Sequence, residues 1–218
     1  MINADSFCRE VVALSDAELG QSAADLAAEV VALAVSQGAR VAVAESLTGG
    51  LLAAELVAVS GASAVVTGAV VAYDTRIKAS VLGVCRKRLL QTGPVDWQIA
   101  AEMAQGVVRL MRGDGDACDV DRVDDTGDVY RTVGGGVAGA HGEGTSLLGI
   151  ATTGVAGPAV DWQSGAEPGL FYVGFCAPNR AESVRFYVPG ERNRVRKTAV
   201  FAGLVVLKRL LQLESCAA

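Results

Sequence analysis

The stretch VAVAESLTGGLLAAELVAV, residues 41–59, decides the fold. An apolar run stops at Glu45-Ser46, two glycines follow at Gly49-Gly50, and a second apolar run begins at Leu51. The β-branched run 40–44 reads as a strand, residues 51–59 as a helix, and the polar break as the loop between them. In open α/β sheets, ligands gather at the carboxyl ends of strands. The start of the following helix offers unpaired N–H groups and a partial positive charge. A helix cap by Ser46 or Thr48 explains one hydroxyl. It does not explain Gly-Gly, which lets an anionic ligand approach the backbone. Cap and ligand cradle both stay open on spacing alone.

Working outward, residues 16–37 carry apolar residues at helical spacing and end at Gly38. SAVVTGAVVAY, 63–73, reads as a strand bent at Gly68. Asp74 caps a helix running to Val84, Gly93-Pro94 forms a turn, and Asp96 caps a long helix over WQIAAEMAQGVVRLM. SLLGIATTG returns as a strand. LFYVGFCA and SVRFYV form a hairpin turning at Pro178-Asn179, and residues 190–214 close as a long amphipathic helix. Strands alternating with helices, then a hairpin, then a helix, give a three-layer α/β/α sandwich with a mixed, mostly parallel sheet.

Composition bounds the function. At 218 residues and 51% hydrophobic, the chain suits one domain with a substantial core. No apolar run reaches the roughly 18 uncharged residues of a membrane span, and the N-terminus lacks the pattern of a signal peptide. A cytoplasmic protein without membrane attachment is expected. Five scattered cysteines with no C-x-x-C argue against a disulfide framework or a zinc site. The formal charge of −5 is concentrated in the Gly-rich segment 113–144, where eight acids face Arg122 and Arg131. That segment reads as a solvated acidic insertion, and the near-neutral remainder offers no basic field for nucleic acid. Within it, GGGVAG at 134–139 lacks the strand–helix context of a dinucleotide fingerprint. The aspartates fit no calcium-loop register.

Ser46 as a nucleophile needs a base. The single histidine, His141, lies in GAHGEG inside the insertion, a poor setting for a Ser-His-Asp triad. Of four lysines, Lys87 and Lys208 sit in solvated settings. Lys78 lies in the first turn of a helix, where the dipole does not favour a cation. Dehydrated, it becomes a neutral base; otherwise it is a surface lysine. TTGVAGP at 152–158 suits backbone contact with a ligand, with Thr153 as a hydroxyl donor, or is an ordinary turn. GERNRVRK places Arg192, Arg194, Arg196 and Lys197 at a helix start, either for a phosphate or as a solvated face.

Together, AESLTGG, TGAVVAYDTRIKASVLGV, AAEMAQG, TTGVAGP and GERNRVR resemble, in order, the motifs of the CinA C-terminal domain family of nicotinamide-nucleotide amidases. The resemblance covers most of residues 41–213 and looks like the stand-alone form, one domain over 1–218 with the insertion at about 113–144. It implies hydrolysis of the carboxamide of nicotinamide mononucleotide to nicotinate mononucleotide and ammonia, with no metal or cofactor. A non-catalytic nucleotide-binding module, or a Ser–Lys amidohydrolase for another small amide, are the other readings. The family's nucleophile falls on Ser46, its tyrosine on Tyr73 and its base on Lys78. Backbone N–H groups around Leu47, Thr48, Gly49 and Gly50 would hold the oxyanion. Thr153 would line the nicotinamide or ribose, and Arg192 with Arg196 would bind the 5′-phosphate. Glu45 would orient the loop or the ligand. Leu47 stands where the family has cysteine, and Asp96 where it has serine. Several groups are expected to converge only across the interface of a homo-oligomer.

Overall fold

The computed structural model describes residues 13–112, 146–178 and 180–214. The acidic insertion with His141 and the 134–139 glycine stretch, and Cys8, Cys118 and Cys216, lie outside the described residues.

The helix α1 (Asp16–Gln37) begins at a capping box, where Glu18 N donates to Ser15 Oγ and Ser15 N donates to the Glu18 carboxylate. It ends at Gly38 in the left-handed conformation. Next come β1 (Arg40–Glu45), α2 (Leu51–Val57), a short 3₁₀ turn (Ala62–Ala64) and β2 (Val66–Val71). They are followed by α3 (Thr75–Ser80), α4 (Arg86–Thr92), α5 (Trp97–Arg112) and β3 (Leu147–Gly154). The hairpin β4 (Leu170–Ala177) and β5 (Arg180–Tyr187) leads into α6 (Arg192–Glu214).

The sheet order is β2-β1-β3-β4-β5. β1 pairs in parallel with β2 and β3, while β3–β4 and β4–β5 are antiparallel, so only β4 runs against the other four strands. This is the mixed α/β/α sandwich expected. Along β1 the side chains alternate between two buried faces. Val41 and Val43 join the layer of α1, α2 and α6, and Ala42 and Ala44 join that of α5. By length and composition α1 alone among the described helices could cross a membrane. Its stripe of Leu19, Ala27, Val30 and Ala34 is instead buried in the core.

Three local expectations change. The strand at 63–73 is shorter, because its first residues turn as a 3₁₀ helix; its register against β1 slips at Thr67, just before Gly68. The helix expected to reach Val84 stops at Ser80, so Lys78 lies in its last turn and the dipole argument does not apply to it. The basic run RKR opens α4, with Leu89 buried and Arg88 paired to Glu102 at 2.7 Å.

β1 is the switch point. Its chain leaves through α2 on one face to reach β2, and the chain leaves β2 through α3, α4 and α5 on the other face to reach β3. The carboxyl ends of β1, β2 and β3 therefore open onto one crevice. The helix α5 packs closely on β3 and β4. A Cβ added at Gly174 would stand 1.9 Å from Ala100 O, and one at Gly149 would stand 2.3 Å from Ala104 O. Gly174→Ala is expected to lower stability by about 2–3 kcal/mol, because α5 must move off the sheet. Gly20→Ala, on a helix face where nothing lies within 4 Å, is expected to raise it by about 0.5–1 kcal/mol. Urea unfolding of both variants checks the pair.

Candidate active site

Strand pairing positions the centre. At the end of β1, Ser46 N donates to Thr152 O on β3 (2.9 Å) and Ala72 N donates to Glu45 O (2.7 Å), so Ser46 and Ala72 sit side by side. Lys78 folds back from α3 between them. Its Nζ donates to Ser46 Oγ at 2.9 Å and to Ala72 O at 2.7 Å. The lysine is 1% exposed and has no carboxylate partner among the described residues. Burial pulls its ammonium down to about 8, against the opposing charges of Asp74 and Asp161. Asp74 is itself paired with Arg76 at 2.9 Å, which, with the Arg76 backbone N–H, holds that carboxyl at about 2. A serine hydroxyl beside an amine so easily made neutral has the geometry of a nucleophile and its general base.

Glu45 builds the loop that presents Ser46. It is fully buried, and its carboxylate accepts from Gly50 N (2.9 Å), Leu52 N (3.1 Å) and Ala53 N (2.8 Å). The start of α2, expected to cradle a ligand, thus already holds an anion of the protein itself. The two glycines serve the turn: Gly49 (φ 63°) and Gly50 (φ 96°) are both left-handed. Gly49 N donates to Ser46 O, so within the expected cradle only the N–H groups of Leu47 and Thr48 lack an acceptor among the described residues. The candidate N–H donors of the loop thus narrow from four residues to two.

The remaining candidates are each held by partners within the protein. Thr48 Oγ1 is buried against Thr152 Oγ1 at 2.7 Å and serves the scaffold. Arg196, expected on a phosphate, donates to Leu47 O (3.0 Å) and Thr48 O (2.9 Å) and so clamps the nucleophile loop. Thr153 lines the cleft, but its hydroxyl proton goes to Pro94 O at 2.7 Å. Tyr73 is 60% exposed and its hydroxyl accepts from Arg192 Nη2 at 2.9 Å, rather than bonding to Ser46 or Lys78. Arg192 Nη1 also donates to Gly157 O at 2.8 Å, so this arginine ties together the two walls of the cleft. Asp96 caps α5 through Gln98 N and Ile99 N, and the Leu47 side chain is buried in the core.

The cleft has a volume of about 330 Å³, and Ser46, Tyr73, Lys78, Thr153 and Arg192 line it within one chain. A larger recess, about 570 Å³, opens between α1 and α6 without reaching Ser46. There, Arg194 and Lys197 are paired with Asp16. Sequence reasoning missed the carbonyl of Ala72, and it missed Asp161 and Trp162, which also line the cleft. The signal for these two was the second tryptophan of a chain with only 5% aromatic residues, set in the polar turn VDWQSG.

The CinA C-terminal domain model matches residues 23–115 and 127–211, and its break falls inside the acidic segment. A CinA-like protein of Frankia casuarinae is 36% identical over 182 residues, covering 84% of this chain and 34% of the relative. A CinA-like protein of Anaeromyxobacter is 33% identical over 201 residues, covering 90% and 40%. The chain thus spans a third to two-fifths of these curated relatives. Among solved structures, the competence/damage inducible protein CihA of Agrobacterium tumefaciens aligns with TM-score 0.66 at 25% identity, over 87% of this chain and 95% of that one. A CinA superfamily protein of Klebsiella pneumoniae aligns with TM-score 0.68 at 25% identity, over 87% and 98%.

Glu45→Gln tests the loop. It turns an amide N–H₂ toward backbone donors and is expected to cost about 2–3 kcal/mol in urea unfolding, because buried N–H groups lose an acceptor.

Proposed function

Because the chain belongs to the CinA C-terminal domain family, we propose that it is a Ser–Lys amidase that hydrolyses the carboxamide of nicotinamide mononucleotide, releasing ammonia and nicotinate mononucleotide. The observation that carries this reading is Lys78 Nζ, buried, 2.9 Å from Ser46 Oγ. The resemblance of the motifs supports the choice of substrate, and a place in cytoplasmic pyridine-nucleotide salvage follows from it.

In the proposed reaction, neutral Lys78 accepts the Ser46 hydroxyl proton while Oγ bonds to the carboxamide carbon. Ala72 O accepts one of the amine's own protons and aims its lone pair at Ser46. The N–H groups of Leu47 and Thr48 hold the resulting oxyanion, and two such preorganised donors contribute about 3 kcal/mol each. As the C–N bond breaks, Lys78 returns the proton to the leaving nitrogen, which departs as ammonia. Water then attacks the Ser46 ester, giving its proton to Lys78, and the acid leaves as Ser46 is reprotonated. Arg192 receives the 5′-phosphate at the mouth of the cleft, exchanging Tyr73 for a charged acceptor. Tyr73 thereby acts as a positioning residue for Arg192, not as a proton relay.

Ser46→Ala and Lys78→Ala are each expected to lower ammonia release from nicotinamide mononucleotide by about 10³-fold or more while remaining folded. Full activity in either removes the dyad. A binding module without chemistry would bind the nucleotide and release no ammonia in the wild type. The base acts in its neutral form, so kcat/KM rises with pH and levels off above about 8; a profile flat from pH 6 to about 9 excludes Lys78 as base.

Nicotinamide riboside, which lacks the phosphate, is expected to show kcat/KM lower by about tenfold or more. Arg192→Ala should erase that difference by weakening the nucleotide alone. A riboside handled as well as the nucleotide would remove Arg192 from phosphate binding.

A further inference from the structure

The turn after Pro158 is held more firmly than a surface loop requires. Asp161 Oδ2 accepts from Ser164 N (2.7 Å) and Ser164 Oγ (2.6 Å), and Asp161 N donates to Ala166 O at 2.9 Å. Gly165 N closes onto Asp161 O at 2.8 Å, and Gln163 Nε2 reaches across to Leu89 O at 2.8 Å. Two groups are left uncommitted by this anchoring. Asp161 Oδ1 has no donor among the described residues. Trp162, 90% exposed, is the most exposed large apolar side chain among the described residues. Both line the cleft that contains Ser46 and Lys78.

Asp161 Oδ2 holds the turn, but neither the free Oδ1 nor the exposed indole adds to the stability of the unliganded chain. An indole that is 90% exposed contributes little apolar burial. The Asp161 carboxylate acts against the base, because its charge favours the ammonium form of Lys78. The other charges around Lys78 do not cancel it. Asp74 is paired with Arg76, and Arg192 is engaged with Tyr73 and Gly157 at the mouth. A bound cation resolves both difficulties. It offsets the Asp161 charge, so that Lys78 loses its proton more readily, and its flat face covers the indole by a cation–π contact.

We propose that Asp161 and Trp162 form the seat of a flat cationic ring, an N-substituted pyridinium, and select it over the neutral ring of the same shape. This deepens the amidase reading and rests on it for placing the carboxamide at Ser46. The cleft is then polarised, with Asp161 and Trp162 for the positive ring and Arg192 for the phosphate. An uncharged aromatic amide would lack the attraction at the ring end.

The test compares binding of the permanent cation 1-methylnicotinamide with that of neutral nicotinamide by calorimetry on the full chain. Neither carries a phosphate, so Arg192 is not involved. The wild type is expected to bind the cation about tenfold more tightly. Asp161→Asn keeps an acceptor oxygen for Ser164 and removes the charge, and is expected to abolish most of that preference. Trp162→Ala should weaken the cation about tenfold, and Trp162→Phe should restore most of the loss. Equal affinity for the two rings in the wild type overturns the proposal. So does a cation that fails to bind at millimolar concentration, or a preference unchanged in Asp161→Asn. Binding is read without turnover, which separates the two readings. A wild type that prefers the cation but releases no ammonia keeps the seat and removes the amidase. Ammonia release from the mononucleotide with KM unchanged in Asp161→Asn keeps the amidase and removes the seat.

Discussion

A buried carboxylate organises this site. Glu45 ends β1 and turns its side chain onto the start of α2, accepting from three backbone N–H groups. A helix start is a ready anion site, and here the protein fills it. The geometry that follows is tightly constrained. For α2 to begin within reach of Glu45, the chain must reverse in the few residues after Ser46, and both Gly49 and Gly50 must take left-handed conformations. Arg196 then fastens the outside of the loop by its two carbonyls. Ser46 is thereby fixed beside Ala72, and the N–H groups of Leu47 and Thr48 are left over.

Against this rigid loop, Lys78 is tuned by dehydration. A lysine paired with a carboxylate would stay protonated and could not serve as a base. Lys78 instead contacts a hydroxyl and a carbonyl, neither of which carries charge. The nearest acid on its own helix, Asp74, is taken by Arg76. Burial therefore dominates, and it acts in the direction that general-base chemistry needs. The short α3 is part of this arrangement. Ending the helix at Ser80 lets Lys78 reach back under β2 instead of continuing along a surface.

The layers and the mixed sheet were legible because they rest on periodicity and on punctuation by glycine and capping residues; the strand order was not. Ser46 and Lys78 were singled out because a polar break follows one strand and a lysine the end of the next, although a helix cap and a surface lysine fit the same spacing. The detailed roles were not. Glu45 donates no pattern of its own, since one acid in an apolar run gives no indication of which N–H groups it will meet. The arginines at the start of α6 looked like a phosphate cluster. Their charges are divided among loop carbonyls, Asp16 and Tyr73, and these partners lie as far as 180 positions away in sequence. The short α4 escaped notice because its one buried residue, Leu89, leaves no stripe to detect.

Filling the helix start with Glu45 has a consequence for any ligand with both a reacting carbonyl and an anionic tail. In sites where a phosphate occupies the helix N-terminus, tail binding and oxyanion stabilisation draw on the same field. In this fold the two are separated. An oxyanion formed at Ser46 would have only the N–H groups of Leu47 and Thr48 to draw on, while a tail would be held by side chains at the mouth, where Arg192 already bridges the walls. A tail bound there supplies affinity without competing for the donors that stabilise the transition state. Binding energy gained at the mouth can then hold the carbonyl against Ser46, which is the condition under which remote binding raises the rate of the chemical step.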